Sequence, residues 1–116
     1  MRREDLEAIA PVIQKHDLFV LSDEIYSELT YGSISHVSIA SVEGMWERTV
    51  VINGFSKTYS MTGWRLGYAA CSEEIVKTVN KLHQHVVTCA TSVGHFLRTV
   101  HTCYPFLFSA PAFALV

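Results

Sequence analysis

Apolar residues recur along the chain in two kinds of spacing, one helical and one continuous. Leu6, Ile9, Ala10 and Ile13 fall on one side of a helix, which predicts a helix with that side against a core. Glu4, Asp5 and Glu7 lie in its opening turns, where the helix dipole favours negative charge. Pro11 lies inside the pattern, lacks an N–H, and is expected to kink or shorten the helix. The run LFVLS at residues 18–22 is continuously apolar, ends at Asp23 and Glu24, and predicts a buried strand. Residues 31–41 are rich in Ser and Gly and read as a loop. TVVIN at residues 49–53 predicts a second strand, and the Gly-, Ser- and Thr-containing stretch 54–63 a polar loop. LGYAAC at residues 66–71 predicts a third strand. Ser72 then stands at an N-cap position before Glu73 and Glu74, and Ile75, Val76, Val79, Leu82 and Val86 recur helically.

The order helix, strand, loop, strand, loop, strand, helix, with short apolar runs, predicts an α/β fold whose sheet is covered on both faces. In such folds ligands bind beyond the carboxyl ends of strands. Asp23 and Tyr26 follow the first strand, and Ser56 and Lys57 follow the second. That convergence is the main pointer to a site.

The composition changes this picture in one place. The 116 residues are 49% hydrophobic and 17% charged, with a formal net charge of -2. This argues against wholesale disorder, and the balance leaves no basic footprint for nucleic acid. The length suits one modest domain or part of a larger one. The charges, however, stop early: in the 35 residues after Lys81, Arg98 is the only formal charge. Roughly 25% charged is usual for a soluble domain. The last thirteen residues, YPFLFSAPAFALV, hold Pro105 and Pro111 and fall short of the ~20 apolar residues of a bilayer span, so no membrane anchor is expected. The N-terminus has no apolar signal core, and Cys71, Cys89 and Cys103 form no disulfide framework, so a cytoplasmic location is expected.

Several residues carry possible chemistry. Lys57 is the only lysine between Lys15 and Lys77, in a polar loop next to a buried strand end. A lysine there can act as a nucleophile toward a carbonyl, although a lysine after a strand is usually a solvated surface lysine. Arg65 has the rigid, permanently charged fork that suits phosphate, Ser56 and Thr58 add hydroxyls, and the bland alternative is a glycine-containing loop with one surface arginine. Asp23 can pair with a cationic ring nitrogen, an arginine or a metal, or simply cap a turn. Tyr26 can donate to a phenolic oxygen. Glu24 is left either to solvent or to a supporting role. His83, His85, His95 and His101, with Cys89 and Cys103, match no zinc spacing, so no metal site is expected.

Two stretches then stand out together: VLSDEIY at residues 20–26 and NGFSKTYSMTGWRLGY at residues 53–68. They resemble the class I/II aminotransferases, pyridoxal-phosphate enzymes of the aspartate aminotransferase superfamily with fold type I. The likeness runs from about Arg3 to about Gly94 and is nearest the bacterial enzymes acting on aromatic or aspartate-like amino acids. It implies part of a three-layer, mixed and mostly parallel sheet flanked by helices, namely the central piece of the large domain. It implies pyridoxal 5'-phosphate as cofactor, an amino acid and a 2-oxo acid as substrates, and a homodimer in full-length relatives. By the resemblance, Lys57 is the Schiff-base lysine and proton shuttle. Asp23 pairs with the pyridine nitrogen, Tyr26 donates to the phenolic oxygen, and Ser56 and Arg65 hold the phosphate. Where the family often has a serine three residues before the lysine, this chain has Gly54.

The resemblance also implies missing parts. Full-length relatives are several times longer. The asparagine-containing segment, the glycine turn and the stacking aromatic upstream fall outside this chain, as does the downstream small domain with its substrate-carboxylate arginine. Residues 1–94 are therefore expected to be a partial cofactor-binding domain, weakly active or inactive alone. Residues 95–116 are expected to be a divergent apolar tail, such as a reading-frame change or an incomplete gene would produce. Competing readings are another pyridoxal-phosphate reaction, such as beta-elimination, and a non-catalytic remnant or interaction protein.

Overall fold

The computed structural model describes residues 1–33, 35–92 and 113–115. Helix α1 spans Arg3–Lys15, strand β1 Val20–Asp23, strand β2 Thr49–Gly54, strand β3 Gly67–Ala70 and helix α2 Glu73–Val86. A short strand, β4, follows at Phe113–Leu115. Single 3-10 turns at Ile39–Ser41, Trp46–Arg48 and Thr62–Trp64 punctuate the connections. Both helices and all three early strands fall where the apolar spacing predicts them.

The strands form one mixed sheet in the order β1-β2-β3-β4. β1 and β2 run parallel, while β2–β3 and β3–β4 are antiparallel. Register then settles which helix covers which face. Val20 pairs with Thr49 and Leu21 with Val50, so Val20 and Val50 point to opposite sides of the pleat. Leu6, Ala10 and Ile13 of α1 pack with Ile39 and Met45, and Val20 lies against them. Val76 of α2 packs with Cys71, and Val50, Ile75 and Val79 lie against that pair. α1 and α2 therefore sandwich the sheet from opposite faces, and the three-layer α/β arrangement is in place.

Three expectations change in the structure. α1 runs unbroken through Pro11. Pro11 and Glu7, whose carbonyl loses its partner to the missing N–H, are both exposed, so water can satisfy that carbonyl. The run at residues 18–22 is not buried: Val20 and Ser22 are half-buried, and Leu18, Phe19 and Leu21 are exposed. Phe19 and Leu21 are each 73% exposed, because among the described residues β1 is the edge strand and α2 reaches only as far as Val50 on the Leu21 face. At the far end of α2, Leu82 and Val86 are likewise exposed. Ser72 occupies the N-cap of α2, but its hydroxyl makes no capping bond. The helix opens instead with the Val76 N–H donating to the Ser72 carbonyl at 3.0 Å.

The division at Gly94 and the apolar tail from residue 95 lie outside the described residues, apart from Phe113–Leu115, which aligns Ala114 with Ala69 of β3. No helix among the described residues is long and apolar enough to cross a membrane.

Gly54, at the end of β2, is forced by packing. It pairs with Gly67 of β3, and a Cβ at residue 54 would lie 2.8 Å from the Leu66 carbonyl oxygen. The obstacle is backbone and cannot swing aside. Gly54→Ala should therefore cost about 1–3 kcal/mol of stability. The expected reading is a lower urea midpoint with an unchanged slope.

Candidate active site

Topology gathers the candidate residues at one end of the sheet. β1 and β2 are parallel, so their carboxyl ends lie together, and antiparallel β3 begins at that same end. Asp23 closes β1 opposite Ile52. Its Oδ1 accepts the Ile25 N–H at 3.1 Å, a side-chain turn that holds the carboxylate at the strand end. The Glu24 N–H donates to the Ile52 carbonyl at 2.8 Å and extends the pairing by one bond beyond β1. The Ser27 N–H donates to the Glu24 carbonyl at 2.9 Å, and Asn53 Nδ2 donates to Ser27 Oγ at 3.1 Å. Tyr26 thus sits in a turn fastened at both ends to β2.

Beyond β2 the chain makes a tight turn. The Tyr59 N–H donates to the Phe55 carbonyl at 3.2 Å and the Ser60 N–H to the Lys57 carbonyl at 3.3 Å. Ser60 closes the turn in the left-handed region at φ 55°. Ser56 and Lys57 lie on this turn, and Lys57 is exposed. Lys57 Nζ stands 5.5 Å from the centre of the Tyr26 ring, within the ~6 Å range of a cation–π contact. Arg65 enters β3 from a left-handed conformation, φ 53° and ψ 50°, and its Nη1 donates to the Thr62 carbonyl at 2.9 Å.

The structure therefore brings Lys57 and Tyr26 into contact. Asp23, Ser56 and Arg65 share the same end of the sheet, with Asp23 bonded to its own turn and Arg65 folded onto the turn before it. Glu24 is a residue that sequence reasoning left undecided. It is 8% exposed, and its carboxylate accepts from Ser22 Oγ at 3.0 Å, Ser38 Oγ at 2.6 Å and His36 Nε2 at 2.9 Å. The signal in the sequence was slight: His36 is the only histidine between His16 and His83, in an otherwise Ser- and Gly-rich loop. Tyr68 of β3 also flanks the site, edge-on to Phe55 at 6.1 Å between ring centres. Burial, and after it the charges of Tyr59, Glu24 and Glu28, push the Tyr68 phenol above its ordinary pKa.

A separate cavity of about 460 Å³ is lined by α1 residues, including Arg3, Pro11 and Gln14, and by Val42. It shares no residue with the lysine end. Among the described residues no cluster of His, Cys, Asp and Glu could hold a metal ion.

A family model for aminotransferase class I and II matches residues 1–102. The chain belongs to that family. It is 47% identical over 89 residues to an aspartate aminotransferase of Pyrococcus abyssi, covering 77% of this chain and 23% of that protein. It is 49% identical over 94 residues to an aspartate aminotransferase of Bacillus subtilis, covering 80% of this chain and 24% of the relative. A solved aromatic aminotransferase from Pyrococcus horikoshii superposes with a TM-score of 0.74 at 47% identity, over 78% of this chain and 24% of that one. The chain thus spans about a quarter of the length of these aminotransferases.

Two outcomes follow for this chain. A left-handed arginine costs about 1 kcal/mol relative to glycine, so Arg65→Gly should raise stability by that order, with a higher urea midpoint. Tyr68 has a raised folded-state pKa, so it stabilises fully below the ordinary tyrosine pKa, and that contribution is lost as pH rises through the folded value. Tyr68→Phe should flatten the fall in stability on the alkaline side, measured by urea unfolding at stepped pH.

Proposed function

We propose that this chain supplies the cofactor-holding part of a pyridoxal 5'-phosphate-dependent aminotransferase, exchanging an amino group between an L-amino acid and a 2-oxo acid. The observation that carries the reading is the Lys57–Tyr26 contact at the one end of the sheet where Asp23, Ser56 and Arg65 also converge. The donor set fits the group in chemistry: an exposed amine for an aldehyde, a carboxylate for a cationic ring nitrogen, a phenol for a phenolate oxygen, and a guanidinium with a hydroxyl for a phosphate. The bound group would supply an electron sink for the carbon that loses its proton.

Each residue then has a defined task. Asp23, fixed by the Ile25 N–H, keeps a proton on the ring nitrogen by its negative charge. Lys57 Nζ would hold the aldehyde carbon and, once the substrate amine has replaced it there, would move the proton from the substrate α-carbon to that same carbon. Tyr26 Oη donates to the phenolic oxygen from a turn already tied to β2. Ser56 Oγ and the Arg65 guanidinium bind the phosphate, for which Arg65 gives up its bond to the Thr62 carbonyl. Gly54 offers no third phosphate contact, since its place against Leu66 leaves no room for a serine. A homodimer and a cytoplasmic location are part of the same proposal and rest on the family. The exposed Phe19, Leu21, Leu82 and Val86 are apolar surface of the kind a larger assembly covers.

Adding pyridoxal 5'-phosphate to the chain should give a visible absorbance band. Borohydride reduction should then leave the cofactor's mass on the peptide containing Lys57. Lys57→Ala should abolish both while leaving the circular dichroism unchanged. A folded wild-type chain with neither band nor adduct would overturn the reading. A screen of amino donors against 2-oxo acids tests transamination itself.

A further inference from the structure

Glu24 has no task in the scheme above, yet it is the most heavily bonded side chain at this end of the molecule. Its two oxygens accept three side-chain hydrogen bonds, from Ser22 on β1 and from His36 and Ser38 on the loop that crosses toward β2. The Ser38 bond is the shortest, at 2.6 Å, in the range of a hydroxyl donating to a charged oxygen. Ser38 also accepts the Ala40 N–H at 3.2 Å, so the bond reaches into the 3-10 turn Ile39–Ser41, whose Ile39 lies in the α1 core. The Glu24 backbone is equally engaged, donating to Ile52 and accepting from Ser27.

These bonds bracket the three peptide bonds that join Asp23 to Tyr26. The Asp23 carboxylate is oriented by the Ile25 N–H, and the plane of that N–H is set by the Glu24 peptide unit before it. A carboxylate buried under three donors resists rotation, because any movement leaves buried acceptors and donors unpaired. We infer that Glu24 is a positioning residue: through its bonds to Ser22, His36 and Ser38 it fixes the turn that aims the Asp23 carboxylate and the Tyr26 ring. This inference rests on the proposed cofactor reading for its consequence, but its structural content stands without the cofactor.

Two experiments separate those levels. In the cofactor-free chain, hydrogen exchange in Glu24→Gln should speed up at the Ile25 and Ser27 amides while the β2 amides of Val50 and Ile52 keep their protection. Ser38→Ala, a gentler change that removes one donor, should move the same amides in the same direction. Unchanged protection at Ile25 and Ser27 in both variants would overturn the inference, as would an equal loss across the whole sheet in both. The second experiment titrates pyridoxal 5'-phosphate against its 1-deaza analogue, which has carbon in place of the ring nitrogen. Glu24→Gln should weaken binding of the cofactor by roughly tenfold, the scale seen when a supporting partner of a ligand-holding group is removed. It should weaken the analogue much less, because Asp23 then has no partner to be aimed at. An equal loss for both ligands would mean that Glu24 does not act through Asp23. A wild-type chain that fails to distinguish the two ligands counts against the cofactor reading instead, and the exchange result then decides the role of Glu24 by itself.

Discussion

The parallel pairing of β1 with β2 is the constraint on which everything else depends. It places two strand ends side by side, and each continues into a tight turn. One turn carries Asp23 and Tyr26 and the other Ser56 and Lys57. A reversal of either strand would send one pair to the opposite end of the sheet, about 13–20 Å away for strands of four to six residues. The antiparallel return of β3 then adds Arg65 to the same end without any further element. The contact between Lys57 and Tyr26 is the local result of that register.

The same pairing divides the core in two. Thr49 and Val50 are neighbours in sequence but face opposite helices. Thr49 is fully buried, with its Oγ1 donating to the Met45 carbonyl at 2.7 Å, while Val50 lies against Cys71 and Val76. Both faces are therefore needed to hold the strand that ends in the lysine turn. Coverage is uneven, dense around Met45 and thin beyond Val50. This is why the fold is well packed behind the site and bare along Leu21 and the last turns of α2.

Helical spacing located α1 and α2, and continuous apolar runs located β1, β2 and β3, because burial against a sheet demands just those patterns. Spacing also placed Asp23, Tyr26, Ser56 and Lys57 at strand ends. What it could not convey was which apolar residues find a partner. Phe19 and Leu21 read as core, yet Leu21 lies on what is, among the described residues, an edge strand, with Phe19 just before it, and edge position is a property of the whole sheet. Pro11 read as a helix breaker, but the carbonyl it orphans faces water. Glu24 was illegible for a related reason. Its donors Ser38 and His36 come from a loop whose path is set by packing against α1, and no local pattern announces it.

Sheet order and chain order coincide: β1, β2, β3 and β4 are neighbours in the sequence they are made. Among the described residues each later strand thus finds the strand it pairs with already made. The groups from Asp23 to Arg65 all emerge within one continuous stretch, so the lysine end can take shape during synthesis as soon as β3 joins β2.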